Sequence, residues 1–202
     1  MHRPNGNPGD ALVLTHGAGS NANAPFLIEI ATEFGEAGIT VLRCDLPFRQ
    51  LRPHGPPFPA IASRDRAGLV EAVELMRGMA PGRVFLGGHS YGGRQSTMVA
   101  SEDSELVSAL LVLSYPLHPP RKRQELRTAH FPGLRVPALF VHGSRDPFGS
   151  IEEMREALAL IPAKTSLVAI DGGAHDLAGR RRDRVEDITG RIAQEFLAFV
   201  RA

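Results

Sequence analysis

The chain has little of what marks a specialised environment. It holds one cysteine in 202 residues, so no internal disulfide framework is possible and a reducing compartment suits it. That residue, Cys44, ends an apolar run and reads as a small buried hydrophobe. An excess of one charge is missing too. The net charge of +1 offers no global field to draw in nucleic acid or a membrane surface. No apolar run approaches the length of a membrane span. The polar, turn-rich start, Met1 to Asp10, lacks the apolar centre of a secretory signal. Repeats and linkers are absent, and no His and carboxylate spacing matches a metal-ligand set, so neither metal nor cofactor is expected. The first glycine loop, His16-Gly17-Ala18-Gly19, lacks the G-x-G-x-x-G run of a dinucleotide site. With 43% hydrophobic and 22% charged residues, the expectation is one cytoplasmic globular domain over residues 1–202. It would be a monomer or homodimer acting on a small molecule, with no nucleic-acid or membrane partner.

Apolar runs alternate with amphipathic ones from end to end. Ala11 to Thr15, Ile39 to Cys44, Val84 onward, Ser108 to Ser114, Val136 to His142 and Ser166 to Ile170 read as buried strands. Between and after them, 25–38, 63–79, 95–100, 151–160 and 184–200 read as helices. Ser63 or Asp65 is the expected cap of the second of these, with Leu69, Val70, Val73 and Met76 inward. Two stretches look irregular. Residues 45–60 are rich in proline and arginine, and their length suits a lid. Residues 115–133 carry Pro116, Pro119, Pro120 and a basic patch, Arg121-Lys122-Arg123. The alternation predicts a three-layer α/β/α sandwich around a mainly parallel sheet.

The centre of the chain is Val84-Phe-Leu-Gly-Gly-His-Ser-Tyr-Gly-Gly-Arg94. Gly88-His89-Ser90-Tyr91-Gly92 fits G-x-S-x-G between a strand and a helix, the context of a nucleophile elbow. A serine there sits on a sharp turn, and Gly88 and Gly92 remove side chains that would collide with neighbouring elements.

In a parallel α/β sheet the loops at the carboxyl ends of the strands share one crevice. Four such loops carry pointed chemistry: 16–19, 88–92, Asp146 and His175. Serine is a weak nucleophile and needs a base within hydrogen-bond reach, itself held by an anion. Ser90, His175 and Asp146 are the candidates for these roles. Asp171 and Asp176 are rival acids, although both lie very near His175 in sequence. The N–H groups of Tyr91 and Ala18, with Gly19 as the alternate, would form an oxyanion hole. Candidate substrate contacts are Gly19, His89, Arg49 and His118, and Arg52 and Pro53 would border the pocket beside Arg49.

These residues resemble an α/β-hydrolase of the dienelactone-hydrolase-like kind. The similarity is closer to a small family that includes the animal testis-expressed α/β-hydrolase-like protein and the hydrolase-like domain of a subunit of the NSL histone acetyltransferase complex. It is carried by His16-Gly17-Ala18-Gly19, Gly92-Gly93-Arg94, the loop Leu46–Pro59, His142-Gly143 with Arg145-Asp146-Pro147-Phe148-Gly149, and Gly172 with His175. The resemblance implies the fold, the Ser-Asp-His assignment and a hydrolase activity, but no particular substrate. Nothing before Ala11 reads as the first antiparallel strands of larger hydrolases, so a minimal six-stranded sheet without a cap domain is expected. The leading functional reading is a serine hydrolase of a small ester or thioester. Peptidase and acyltransferase chemistry share the machinery, and the alternative from another class is a non-catalytic interaction module.

The other polar residues have quieter readings. His16 holds the first loop, His142 is buried and satisfied, and His54, His118 and His130 are exposed, with His118 also a candidate for the pocket. Asp146 doubles as a cap for the next helix. Arg94 pairs with a carboxylate such as Asp45, or else meets an acidic substrate group. The run Arg180 to Arg184 is a solvated face.

Overall fold

Six strands, all parallel, lie side by side in the order β2-β1-β3-β4-β5-β6. The structure, a computed structural model, describes residues 1–4, 9–177 and 185–202. The strands are β1 (Ala11–Thr15), β2 (Thr40–Cys44), β3 (Val84–His89), β4 (Ala109–Leu113), β5 (Ala138–Gly143) and β6 (Thr165–Ile170). The helices are α1 (Pro25–Glu36), α2 (Pro47–Leu51), α3 (Ala62–Met79), α4 (Tyr91–Glu102), α5 (Ile151–Leu158) and α6 (Val185–Arg201).

Strand alternation divides the core. Ala11 and Val13 of β1 join the cluster under α3, α4 and α5, with Leu69, Val73, Met76 and Met154. Leu12 and Leu14 point the other way and join Leu27, Ile30, Phe34, Ile192 and Phe196 of α1 and α6. Both faces of the sheet are thus covered, as a parallel sheet requires. The chain runs outward from β1 to β2, then returns to place β3 on β1's other side. That reversal opens a crevice between the loops after β1 and β3, where no crossover helix fills the space.

Three local expectations are corrected. Residues 47–51 form a short helix inside the proline-rich stretch, because Pro47 sits at its first turn, where a missing N–H costs nothing. Helix α3 has no side-chain cap. Its Asp65 is fully buried instead, accepting from the Phe48 N–H at 2.9 Å and the Tyr91 hydroxyl at 2.7 Å. Val70 lies on the exposed side of the same helix, 37% accessible. At the amino end, His2 makes an antiparallel bridge with Val41, covering part of the outer edge of β2. The Arg180 to Arg184 run lies outside the described residues.

Candidate active site

Strand β3 ends against Leu113 of β4, and the chain turns at Ser90 into α4 with φ 53° and ψ −115°. This is a left-handed backbone position for a non-glycine residue, and such strain concentrates at functional turns. Its neighbours leave no room for side chains. A Cβ on Gly88 would stand 2.7 Å from the Gly92 carbonyl carbon, and one on Gly92 would stand 2.6 Å from the His16 oxygen. Glycine is therefore imposed by backbone contact on both sides of the serine.

Three loops bring their polar side chains together above this turn. The Ser90 hydroxyl donates to His175 Nε2 at 2.7 Å, and His175 Nδ1–H donates to Asp146 Oδ2 at 2.8 Å. The Asp146 carboxylate is wholly shielded, and its Oδ1 accepts from the Phe148 N–H at 2.9 Å. Between Asp146 and the rival acids, the ring of His175 is bonded to Asp146, while Asp171 Oδ1 faces Ser144 Oγ at 3.4 Å. The Phe148 ring lies 4.3 Å from the His175 ring centre and covers one of its faces. Helix α5 is capped by a reciprocal Ser150–Glu153 box, so the expected capping role of Asp146 falls to Ser150.

The residue before the serine holds the His175 loop. His89 Nε2–H donates to the His175 carbonyl at 2.7 Å. Burial pushes the His89 pKa down to about 4, so the ring stays neutral. It also packs edge-on against Phe26 and lies 3.1 Å from where a Cβ on Gly17 would stand.

The first loop is held from outside. His16 Nδ1–H donates to the Gly17 carbonyl at 2.8 Å, and its Nε2 accepts from the Leu46 N–H at 3.2 Å. Asp45 lies 3.3 Å from the same Nε2. Burial nevertheless holds the His16 pKa below its ordinary value, and the Leu46 donor needs a ring lone pair, so this contact is a neutral one. Arg49 does not border the pocket. It is 6% exposed, and its guanidinium binds the carbonyls of Ala18 and Ser20 at 2.8 Å and those of Arg52 and Gly55 at 3.1 Å. It clasps the first loop to the proline-rich one. Among the described residues, the N–H groups of Ala18 and Tyr91 have no protein acceptor.

A cavity of about 510 Å³ opens beside the serine. Ala18, Ser90 and Tyr91 form its floor, Pro56 to Pro59 and Pro116 border it, and Arg94 lines it from α4. Gly19, His89, Arg49 and His118 are not among its lining residues. Gly19 has open space around it. His118 is buried, not exposed, with its ring between the Pro119 carbonyl at 2.9 Å and Glu153 at 3.5 Å. His130 is half-buried against the Thr97 hydroxyl at 2.8 Å. His142 is buried, but only its Nε2 is satisfied, by the Gly149 carbonyl at 2.9 Å, while Nδ1 has no partner. The anticipated Arg94–Asp45 pair does not form, since Asp45 accepts from the Ala22 N–H at 2.7 Å.

A larger hollow of about 700 Å³ lies at the opposite end of the strands, around Asp10, Arg83 and Pro137, away from the serine. Among the described residues, no group of three or more His, Cys, Asp or Glu side chains is placed to hold a metal ion. None of the described helices is long and apolar enough to cross a membrane.

Sequence reasoning missed three neighbours of the site: Asp65 behind Tyr91, Phe148 against the His175 ring, and His89 against the His175 carbonyl. Only Phe148 left a signal, through its place in the Asp146-Pro147-Phe148-Gly149 loop.

Residues 8–201 match a protein family described as an alpha/beta hydrolase domain. Solved structures share the fold. Est1E from Butyrivibrio proteoclasticus, determined with ferulic acid bound, is 17% identical with TM-score 0.78, over 100% of this chain and 94% of that one. A dienelactone hydrolase from Anabaena variabilis is 22% identical with TM-score 0.76, over 97% and 88%. An alpha-beta serine hydrolase homologue from Coxiella burnetii is 17% identical with TM-score 0.74, over 96% and 88%.

Proposed function

Since the chain belongs to the alpha/beta hydrolase domain family, we propose that it is a serine hydrolase cleaving a small ester or thioester through an acyl-enzyme. The observation that carries this reading is the unbroken chain of hydrogen bonds from Ser90 to His175 to Asp146, at 2.7 and 2.8 Å.

Each link has a task. His175 Nε2 takes the proton as Ser90 Oγ attacks the acyl carbon, and returns it to the leaving group. Asp146, shielded from water, keeps the proton on Nδ1 and stabilises the imidazolium as it forms. The N–H groups of Tyr91 and Ala18 receive the oxyanion, an interaction worth about 3–4 kcal/mol per donor in such sites. The positive end of α4 adds to that field. Water then enters from the open cavity and releases the acyl group by the same steps. Within the family we place the chain beside the testis-expressed and NSL-subunit hydrolase-like proteins, on the motifs named above.

Labelling by a fluorophosphonate probe tests the reading. Wild type labels, Ser90→Ala does not, and His175→Ala labels slowly. A native wild type that stays unlabelled, or a Ser90→Ala variant that still labels, leaves the fold as a binding module without this chemistry.

A further inference from the structure

The charged residues lining the cavity beside Ser90 are Arg66, Arg94 and Arg127; none of its described lining residues is acidic. Arg66 is partly neutralised, with Glu102 at 3.4 Å and Gln95 Oε1 at 3.3 Å. The Arg127 guanidinium has only the Pro116 carbonyl among the described residues, at 3.2 Å. Among the described residues, no carboxylate lies within 4.0 Å of Arg94 or Arg127. Glu125 acts on Arg127 only weakly and pairs with Lys122 at 2.8 Å. Burial and the charge of Arg94 both hold the Arg127 pKa below its ordinary value, so the two cations repel. Arg94 Nε is buried with no acceptor, and so is Nε2 of Gln95, a fully buried residue of the same lining. The Tyr115 hydroxyl donates to the Arg127 carbonyl at 2.5 Å and its oxygen also faces the Arg94 side chain, yet Arg94 Nε itself stays without an acceptor. Two like charges and two unmet donors around one cavity are costly unless an anion completes them.

The position of this cluster relative to the nucleophile says which part of a substrate it meets. The Arg94 N–H bonds the Ser90 carbonyl at 2.9 Å, so the cation is fixed one helical turn beyond the serine. The cavity includes Ser90, Tyr91 and Ala18, whereas His175 is not among its described lining residues. A leaving group must depart beside the imidazole that protonates it, so the cavity is the acyl side.

We infer that the acyl group handled by Ser90 ends in a carboxylate, which Arg94 and Arg127 receive with Gln95 Nε2 as a further donor. This rests on the hydrolase reading and narrows its substrate class to half-esters or half-thioesters of dicarboxylic acids. Paired guanidinia suit a planar carboxylate better than a neutral chain end does.

The test compares two esters of equal chain length, the 4-nitrophenyl half-ester of adipic acid and 4-nitrophenyl hexanoate. In wild type, kcat/KM favours the half-ester by about 100-fold. In Arg94→Gln the preference falls to about 10-fold or less, through KM, and Arg94→Lys restores part of it. Hexanoate hydrolysed as well as the half-ester by wild type, or a preference undiminished in both Arg94→Gln and Arg127→Gln, overturns the inference and leaves the hydrolase standing. Calorimetry of free adipate with Ser90→Ala gives a second readout that needs no turnover. Saturable binding that weakens with salt and disappears in Ser90→Ala/Arg94→Gln supports the site, and no binding overturns it. Should neither ester be hydrolysed, the hydrolase reading fails while adipate binding still decides the anion site.

Discussion

His89 Nε2 lies 2.7 Å from the backbone carbonyl of His175, so the residue next to the serine also moors the loop that carries His175. The bond spans 86 positions of sequence and ties the β3 turn to the loop after β6. Replacing His89 by leucine keeps the bulk against Phe26 but removes the donor. The expected result is a fall in kcat of about 10–100-fold with little change in KM, since a misplaced base slows chemistry more than binding. Steady-state kinetics on a 4-nitrophenyl ester gives the split. A change confined to KM would mean that the His175 loop does not depend on this anchor.

Arg49 should behave as a positioning residue for the loop after β1, which carries the Ala18 N–H of the proposed oxyanion site. Its four carbonyl contacts join Ala18 and Ser20 to Arg52 and Gly55. Arg49→Met leaves those carbonyls without their donor. Hydrogen bonds to a charged group are worth about 1.5–3 kcal/mol each, and neighbouring ones do not add. A stability loss of about 3 kcal/mol is expected in urea unfolding, together with slower fluorophosphonate labelling of Ser90. Lysine is expected to restore little, because one ammonium cannot reach four carbonyls in a planar fan.

Gly92→Ala tests the steric account of the elbow. The added Cβ would meet the His16 oxygen and Thr15 Cγ2, each at 2.6 Å, and the first of these is backbone. A destabilisation of about 1–3 kcal/mol follows from such overpacking. Ser90 should lose labelling even where the variant stays folded by circular dichroism, because α4 must shift to make room. Unchanged labelling would show that the turn tolerates the methyl.

Acid should unfold the protein through two of its histidines. Burial depresses His89 and His130 from 6.5 to about 4, with the charge of Arg94 adding to the effect on His130. In this range the unfolded chain binds more protons than the folded one, so stability rises with pH. The contribution is complete above about pH 6.5 and is lost as pH falls toward 4. His89 alone accounts for about 2 kcal/mol of that loss after allowing for partial exposure. Urea midpoints measured across this window should fall in wild type, and the slope should flatten in His130→Gln. An equal slope in the variant would remove His130 from the account.

Much of this protein is written in local patterns. The six strands, five of the helices and the elbow follow from apolar periodicity and from glycines flanking a serine, because those signals act over a few residues. The order Ser90, Asp146, His175 was also legible, since a parallel sheet delivers every strand end to the same rim. The short helix at Pro47–Leu51 was not, because its prolines pointed to irregular chain.

What folding alone decided is the fate of polar side chains with long reach. Arg49 and His118 were candidates to meet a substrate, yet the first spends its charge on loop carbonyls and the second packs against Pro119 and Glu153. Asp65 passed for a helix cap and instead holds the Phe48 N–H and the Tyr91 hydroxyl. Arg94 reads in sequence as the partner of a carboxylate such as Asp45 or of an acidic substrate group, and it faces a cavity lined by other arginines. A side chain's type sets which bonds it can make, but the choice among partners depends on which donors and acceptors the loops leave unpaired. That is known only once segments dozens of residues apart have been brought together.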